Sequence, residues 1–496
     1  MQSRNDAAAL RAISHRAMIS YGLEPDWPPQ ADAELARITA RRPDPPARPE
    51  PPGGPIDLRE LPWSSIDNDD SRDLDQLEVC IEDGATRLLI AIADVDGLVA
   101  KGGAIDAHAE ANTTSVYTPA QIYPMLPPQL STDLTSLNED VDRHAMVIDM
   151  TIDAEGRLTA SDVYRAVVRN RAKLTYDGVA AWLDGQGPAP KRFETVPQLE
   201  AQLRLQDRLA ASLRARRHDD GALDFDRTEV KPVFDGDEVT AVRTEAPNRA
   251  RDIIEGFMVA ANGVTARYLA AHGVPSLRRV VRAPDRWARI VALAAGYGVE
   301  LPASPDATAL QGFLSRRQSD APDDFGDLSL SVIKLLGRGE YVAELPSEQS
   351  GHFALAVSNY THSTAPNRRF PDLVTQRLLK AAISRGQPPY NLGALETVAA
   401  HCTKQEDAAN KVERLVRKAA AALWMSNQIG KEFDAVVTGA SPKGTWVRLS
   451  ENRVEGKLER GTAGLDVGDR LRVRLINTNP ERGFIDFDRV PGPGRT

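Results

Sequence analysis

The chain has 496 residues, of which 42% are hydrophobic and 26% charged, and this size and composition indicate a globular protein with two or three domains. It contains no run of about eighteen apolar residues and no signal-peptide core at its N-terminus, so we expect a cytoplasmic protein without a membrane span. The formal net charge of −9 argues against a protein that coats nucleic acid electrostatically, but it is compatible with a local grip on RNA beside clustered carboxylates.

The chain is predicted to begin with a segment separate from its main body. Residues 1–40 form this helical segment, with a helix over 3–22 and further helical pattern over 33–38. Residues 41–55 are rich in proline, which predicts a semi-rigid, extended linker. The main body is then expected over residues 56–428.

Two elements of the main body stand out by their periodicity. A β-hairpin is predicted over residues 77–95, because apolar residues alternate before the turn at Asp83-Gly84 and an apolar strand follows it. A helix is predicted over residues 251–273, where apolar residues recur at helical spacing and Gly273 ends the pattern.

The C-terminal third changes from helical to strand periodicity. A long helix is predicted from Thr403 to about Ile429, because Thr403 and Glu406 have the spacing of a capping box. Residues 430–490 then show short alternating strands separated by glycines, which indicates a separate small barrel.

The cysteines exclude a sulfur-based site. Cys80 and Cys402 are too few and too far apart in the sequence for a disulfide framework or a cysteine zinc site. Cys80 falls in the alternating pattern of the hairpin, where a buried packing role is predicted.

The strongest chemical signal is a cluster of five aspartates just before the hairpin. They are Asp67, Asp69, Asp70, Asp73 and Asp75. If the hairpin strand extends backwards, Asp73 and Asp75 continue its apolar row, because side chains two residues apart share a face. Carboxylates turned toward a core edge are costly unless cations compensate them. The cluster therefore predicts a site for a hard divalent cation such as Mg²⁺, with a solvated acidic turn as the alternative.

A calcium-binding EF-hand loop is a competing interpretation. The oxygen-bearing residues at its ligand positions would be Asp67, Asp69, Ser71, Asp73, Asp75 and Glu78. However, the sixth position requires glycine for a sharp turn and holds Arg72. The flanks also disagree, because Pro62 precedes the loop and a β-hairpin follows it where helices are required.

Three longer strings resemble the catalytic RNB domain of the ribonuclease II and ribonuclease R family. They are IDNDDSRDLDQ (66–76) followed by AIADV, YTPAQIYPMLPPQLSTDLTSL (117–137) and HFALAVSNYTHSTAPNRRFPDLVTQRLL (352–379). The resemblance covers residues 56–428, and the tail at 430–490 is similar to an OB-fold of the S1 RNA-binding type. It implies an α+β fold, with a mixed-sheet catalytic domain wrapped by helices and followed by a five-stranded barrel. Family members usually carry two cold-shock domains first, where this sequence predicts only a helical segment and a linker.

The resemblance also implies a metal centre. The metal-binding aspartates of the family fall on Asp67, Asp73 and Asp75, which would bind Mg²⁺ or Mn²⁺. The fourth acidic position of the family motif holds Gln76 in this sequence. Glutamine can coordinate through its carbonyl oxygen but brings no charge, so the expected centre has one carboxylate fewer.

Further positions are expected to contact RNA. By resemblance, Tyr117 and Phe225 match aromatic positions that clamp the 3′-terminal bases, and aromatic rings stack on bases without sequence preference. Phe225 stands in a polar turn, GALDFD, which predicts an exposed ring. Glu255 and Glu413 match acidic positions near the terminal nucleotides.

Two arginines form a candidate anion site. Arg368 and Arg369 precede a helix opened by Pro371 and Asp372, and exposed arginines beside a helix N-terminus bind anions through guanidinium and backbone N–H groups. The resemblance implies that Arg368 contacts the reacting phosphate. The nearby Arg377 is predicted to be structural.

The activity implied by the resemblance is exoribonucleolytic. Single-stranded RNA would be hydrolysed from its 3′ end to nucleoside 5′-monophosphates, by in-line attack of a water activated by two Mg²⁺ ions while Arg368 neutralises charge on the phosphate. We expect a monomer acting in the cytoplasm. The alternative is an RNA-binding protein of the same fold whose catalysis is weakened by Gln76. Metal-dependent release of mononucleotides from labelled RNA distinguishes the two hypotheses.

Overall fold

The computed structural model describes residues 6–41, 54–225, 229–235, 238–245, 248–348, 350–442 and 444–490. The first helices are α1 (Asp6–Ser20) and α2 (Pro29–Ala40), which agree with the helical pattern of the sequence. Most of the predicted proline-rich linker lies outside the described residues. No helix in the described ranges has the length and apolar character needed to cross a bilayer.

The N-terminal half of the main body is organised around one sheet. Its strands and the neighbouring short strands are β1 (Ile56–Asp57), β2 (Ser64–Asp67), β3 (Gln76–Asp83), β4 (Ala85–Ala93), β5 (Val116–Tyr117), β6 (Ile122–Tyr123), β7 (Asp142–Ile152), β8 (Leu158–Arg169) and β9 (Ala172–Thr175). Seven of them form a sheet in the order β1-β8-β7-β4-β3-β2-β9, and β5 pairs with β6. The sheet is mixed, because β1–β8 and β2–β9 are parallel whereas the other neighbours are antiparallel.

Helices surround this sheet. Those that follow α2 are α3 (Ala104–Asn112), α4 (Tyr176–Leu183), α5 (Leu199–Asp219), α6 (Arg249–Ala271), α7 (Trp287–Gly296), α8 (Ala307–Asp320), α9 (Pro322–Leu336), α10 (Phe370–Ser384) and α11 (Leu392–Met425). Two further strand pairs lie between them: β10 (Glu229–Asp235) with β11 (Glu238–Glu245), and β12 (Ser276–Val280) with β13 (Glu340–Glu344). The predicted helix over 251–273 is therefore α6.

The predicted hairpin is β3 and β4. Its turn is tight, since Asp83 pairs directly with Ala85 and Gly84 adopts the left-handed conformation, φ +76°, that glycine accommodates without strain. Strand β4 is central and buried throughout Leu88–Ala93, which explains its continuous apolar sequence. Cys80 on β3 is buried, as predicted.

The largest hydrophobic core packs helices against this sheet. It joins strands β3, β4 and β7 to residues of α5, α6 and α10, including the fully buried rings of Phe257 and Phe370. Each such ring contributes roughly 1.5–3 kcal/mol relative to an exposed one. Since α10 belongs to this core, the loop that precedes it is held against the sheet.

Helix α11 begins earlier than the sequence predicted. It extends over 34 residues from Leu392, and Asn391 caps it by accepting a hydrogen bond from the Ala394 N–H. The predicted start at Thr403 is wrong because the capping-box spacing falls inside the helix. There, the Thr403 hydroxyl donates to the carbonyl of Ala399 and accepts from the backbone N–H of Tyr341.

The C-terminal strands close into a barrel. They are β14 (Glu432–Ser441), β15 (Gly444–Leu449), β16 (Glu455–Arg460), β17 (Arg470–Asn479) and β18 (Phe484–Arg489), in the order β14-β15-β16-β18-β17. Ala422 and Met425, at the end of α11, belong to the core of this barrel. The predicted α+β fold with a mixed sheet, surrounding helices and a five-stranded barrel is therefore confirmed.

Helix α1 packs on the middle of α11. It shares a core with α11 and with Val116 and Tyr123 of the β5–β6 pair. The Ser14 hydroxyl lies 2.8 Å from the Tyr123 hydroxyl, a buried hydrogen bond between the N-terminal helix and this pair. The N-terminal segment therefore supports the strand that carries Tyr117.

Candidate active site

The aspartate cluster occupies the loop between β2 and β3. Asp67 ends β2, and β3 begins only at Gln76, so the hairpin strand does not extend backwards to Asp73 and Asp75. The loop is nevertheless held in place, because the Ser136 hydroxyl accepts from the Leu74 N–H at 3.0 Å and donates to the Arg72 carbonyl at 2.7 Å. These bonds replace the pairing that a longer strand would have supplied.

Asp75 is the most buried acid of the loop. Its side chain is about 3% exposed, and its Oδ1 accepts from the backbone N–H of Asn367 at 2.9 Å. The Arg368 Nε lies 3.5 Å from the other carboxylate oxygen. Burial raises the pKa of Asp75 to about 7, and the attraction of Arg368 only partly opposes that rise. Arg368 therefore supplies only part of the positive charge that would stabilise the ionised form of Asp75.

Asp73 and Asp67 complete the group of three acids. The Tyr117 hydroxyl lies 3.4 Å from Asp73 Oδ2. Burial is the main cause of a raised pKa at Asp73, and the nearby Asp67 carboxylate adds to it whereas Arg368 lowers it. Asp67 Oδ1 accepts from the backbone N–H of Asn68 at 2.7 Å. The three acids and Arg368 therefore interact electrostatically in one site.

The two arginines have different positions. The side chain of Arg368 is 45% exposed beside Asp75, as expected for an anion-binding residue. Arg369 does not share this exposure, and the expectation of two exposed arginines is wrong for it. Its guanidinium turns inward and donates to Asp372 Oδ1 at 2.7 Å, and the same oxygen accepts from the Ala365 N–H at 2.9 Å. Arg369 thus holds the loop that presents Arg368.

The aromatic and acidic residues around Tyr117 also meet at the site. Tyr117 is 40% exposed, and its backbone N–H donates to Glu413 Oε1 on α11 at 2.9 Å. Its hydroxyl reaches the Asp73 carboxylate. An aromatic ring is therefore fixed beside the acids by two hydrogen bonds that use its backbone and its hydroxyl.

Phe225 and Glu255 lie on other elements. Phe225 is half-buried against the hydrophobic core of α7, α8 and α9, so the expectation of an exposed ring is wrong. Residues 226–228, which follow it, are outside the described ranges. Glu255 is exposed on α6. Burial raises the pKa of Asp252 one turn before it, and the Glu255 charge adds to that rise while Arg214 opposes it.

Sequence reasoning missed residues that organise the site. The Arg251 guanidinium donates to the side-chain oxygen of Asn68 at 3.0 Å and lies over the Tyr176 ring, 4.7 Å from its centroid. Nothing local in the sequence marks these residues, since they come from α6, α4 and the acidic loop. Arg377, predicted to be structural, is buried and bonded to Asp96 and Asp106.

The donor set suits a hard cation. Among the residues that the structure describes, no three acidic, histidine or cysteine side chains converge closely enough to enclose a metal ion. Mg²⁺ does not need such a cage, because it is usually held by one or two carboxylates together with water and substrate phosphate. The half-buried Asp73 and the buried Asp75, whose pKa values are raised mainly by burial and only partly lowered by Arg368, fit this kind of ion. The half-buried Gln76 adds only a neutral oxygen.

Comparisons with known proteins agree with this organisation. The RNB domain family matches residues 56–385, and the RNase II-type exonuclease C-terminal S1 domain matches residues 431–490. Ribonuclease R of Aquifex aeolicus is 31% identical over 88% of this chain and 64% of its own length. Ribonuclease R of Escherichia coli is 30% identical over 94% of this chain and 60% of its own length. The chain thus spans about 60% of the length of these curated relatives.

Solved structures show the same fold. RNase R of Mycoplasma genitalium in complex with ribose-methylated single-stranded RNA superposes with a TM-score of 0.86 at 22% identity, covering 98% of this chain and 78% of that one. Yeast Ssd1, a pseudonuclease, superposes with a TM-score of 0.66 at 17% identity, covering 85% of this chain and 52% of that one. With the RNB domain matching two thirds of its length, this chain belongs to the RNB family and carries a C-terminal S1 domain of the RNase II type.

Proposed function

We propose that this protein is a 3′–5′ exoribonuclease that hydrolyses single-stranded RNA to nucleoside 5′-monophosphates with Mg²⁺ or Mn²⁺ as its cofactor. The observation that carries the proposal is the meeting of two distant motifs, in which the Asn367 N–H bonds to Asp75 across 292 residues of sequence. That bond brings Arg368 to the three aspartates. One buried and two half-buried acids beside an exposed arginine are what hydrolysis of a phosphodiester needs for its metal and its phosphate.

Each residue of the site has a defined part in this proposal. Asp67, Asp73 and Asp75 would hold Mg²⁺, which when bound stabilises charge on the entering and leaving oxygens. Arg368 donates to the non-bridging oxygens of the scissile phosphate and offsets the charge that develops there. Gln76 is available as a neutral oxygen ligand. Because Asp75 is buried, a cation held at the site would favour its ionised form.

Tyr117 positions the end of the substrate. Its exposed ring offers a stacking surface for a terminal base, and such stacking is worth roughly 1–3 kcal/mol per base. Glu413 fixes the backbone of Tyr117, and Asp73 accepts from its hydroxyl. A base stacked on this ring places its phosphate next to the acids. The preference for single-stranded RNA follows, because a paired base cannot stack on a side chain in this way.

The relatives support RNA as the substrate. The Mycoplasma protein of the same fold has been solved with single-stranded RNA and with double-stranded RNA. We propose a monomer as the working unit, since Asp73, Asp75, Tyr117 and Arg368 meet within one copy of the chain. We place the activity in the cytoplasm, where cellular RNA is turned over.

One observation favours a second candidate function. Gln76 removes a carboxylate from the expected metal centre. The alternative is therefore an RNA-binding protein with weakened catalysis. It predicts RNA affinity without metal-dependent turnover.

A digestion time course separates the two candidates. A single-stranded homopolymer RNA labelled at its 3′-terminal nucleotide is incubated with the protein in Mg²⁺, in Mn²⁺ and in EDTA. Under our proposal, labelled nucleoside 5′-monophosphate is the first product and appears only with metal. Arg368→Ala is the matched variant and should slow release strongly. Binding of the RNA without any mononucleotide release in either metal contradicts the proposal and supports the binding protein.

A further inference from the structure

Glu78 is a buried acid that the site described above does not use. It lies on β3, its exposure is 0%, and neither of its carboxylate oxygens has a hydrogen-bond partner among the described residues. A buried carboxyl group without a partner destabilises the folded state, and the cost is larger when the group is charged. Such a group in a native structure requires an explanation.

The position of Glu78 relates it to the acidic loop. Gln76 and Glu78 share one face of β3, since side chains alternate along a strand. Across the sheet, Glu78 pairs with Ser64 on β2, the strand that ends at Asp67. The Ser64 hydroxyl is also buried and has no partner among the described residues. Polar groups that need a partner therefore extend from the acidic loop along β2 and β3.

The charges of the acidic loop also reach Glu78. The Asp67 carboxylate acts on Glu78, and both acids act on the Tyr176 hydroxyl. The carboxyl group of Glu78 therefore lies within electrostatic reach of Asp67 and of Tyr176.

We propose that Glu78 is a ligand of the divalent cation and supplies the negative charge that the centre lacks at Gln76. This inference rests on the proposed function, since it concerns the metal of the same site. Two residues of β-strand separate Gln76 from Glu78 by about 6.7 Å. Glu78 therefore replaces the charge of the missing carboxylate and not its position. A bound cation would be the partner that the two carboxylate oxygens of Glu78 lack. The competing explanation is that Glu78 is protonated and only packs in the core.

Metal binding without RNA tests the assignment. Binding of Mn²⁺ is measured by titration calorimetry on the full chain, for the parent and for Glu78→Gln, which keeps the shape of the side chain but removes its charge. We expect Glu78→Gln to bind Mn²⁺ at least about 10-fold more weakly, because loss of a group that only supports a metal ligand already weakens binding about 10–100-fold. The matched control is Glu82→Gln, on the same face of β3 but exposed, which should bind Mn²⁺ like the parent.

Two further variants test whether a loss of Mn²⁺ affinity comes from the missing carboxylate and not from misfolding. Glu78→Val places a residue suited to a buried strand, so it should fold and melt no lower than the parent without metal, while also losing Mn²⁺ affinity. The double variant Gln76→Asp/Glu78→Gln should recover most of the affinity, because it returns the carboxylate to the other position. Parent-like Mn²⁺ binding in both Glu78→Gln and Glu78→Val overturns the inference, as does failure of the double variant to bind more tightly than Glu78→Gln.

The outcomes also separate this inference from the proposed function. If the parent releases no mononucleotides but Glu78→Gln loses Mn²⁺ affinity, the exoribonuclease assignment fails and Glu78 remains a metal ligand. If the parent degrades RNA and Glu78→Gln binds Mn²⁺ normally, only the role of Glu78 fails.

Discussion

Replacement of Asp75 by asparagine should abolish hydrolysis and at the same time stabilise the metal-free protein at alkaline pH. Asparagine keeps the size of the side chain and can still accept a hydrogen bond from the Asn367 N–H, which is 2.9 Å from Asp75 Oδ1. What it removes is a charge that is buried in the folded state. The variant therefore separates the electrostatic role of Asp75 from its packing.

The magnitude follows from the pKa of Asp75, which burial raises from 3.8 to about 7. At about 1.4 kcal/mol for each tenfold change in proton affinity, this shift corresponds to about 4 kcal/mol. The folded state binds the proton more tightly than the unfolded chain, so this contribution to stability is fully present below pH 3.8. It is lost as the pH rises through about 7. Above that pH, the buried charge of Asp75 lowers the free energy of unfolding of the metal-free parent by the full amount. Asp75→Asn has no such charge and loses nothing.

Thermal unfolding of the parent and Asp75→Asn in EDTA at pH 5 and pH 8 measures this difference. The variant should melt several degrees above the parent at pH 8 and above it by a smaller margin at pH 5, where Asp75 is already ionised in the unfolded chain. Saturating Mg²⁺ should stabilise the parent much more than the variant. RNA affinity should be nearly unchanged, because Tyr117 and Arg368 are intact. Asp69→Asn, an exposed acid of the same loop, is the control. An Asp75→Asn protein that melts below the parent in EDTA at pH 8, or that loses RNA affinity together with activity, refutes this reasoning.

Three other changes have defined outcomes. Gln76→Asp should stay active and lower the Mg²⁺ concentration for half-maximal rate, since an added carboxylate strengthens a hard-cation site; an inactive, folded variant would contradict the metal assignment. Tyr117→Ala should leave a longer final oligonucleotide on a denaturing gel, because stacking worth roughly 1–3 kcal/mol retains the short remnant. The exposed Tyr297→Ala is its control, and an unchanged limit product with a lower melting temperature would make Tyr117 a packing residue. Removal of residues 430–496 should weaken filter binding of long RNA while short substrates are cut at a similar maximal rate; equal damage to both would contradict a separate role for the barrel.

Local patterns in the sequence predicted the elements that depend on local rules. The hairpin of β3 and β4 followed from alternation and from Gly84, whose turn only short-range sterics decide. The start of α11 did not follow from local rules, because Thr403 and Glu406 have the spacing of a capping box but contact other residues. Thr403 bonds to the backbone of Tyr341, and Glu406 pairs with Arg279 at 2.6 Å. These contacts are tertiary and leave no trace in the nearby sequence.

In the candidate site, too, some features could be predicted from the sequence and others depend on tertiary contacts. The resemblance indicated Asp67, Asp73 and Asp75, and the fold brings them together with Arg368. The resemblance also singled out Arg368 of the two adjacent arginines. The inward turn of Arg369 could not be predicted from local sequence, because it depends on where Asp372 lies after the loop folds. Glu78 was also beyond prediction from this sequence, since a polar residue at that strand position normally indicates exposure rather than burial.

Helix α11 fixes the distance between the candidate active site and the C-terminal barrel. Its 34 residues span about 51 Å, and a single uninterrupted element carries both Glu413, which holds the Tyr117 backbone, and Met425, which enters the barrel core. The distance between the Tyr117 ring, which would stack on the RNA terminus, and the barrel is therefore set by the rise of a helix and not by a flexible linker. Inserting seven residues, close to two helical turns, would lengthen the helix between them by about 10.5 Å and rotate the barrel by only about 20°.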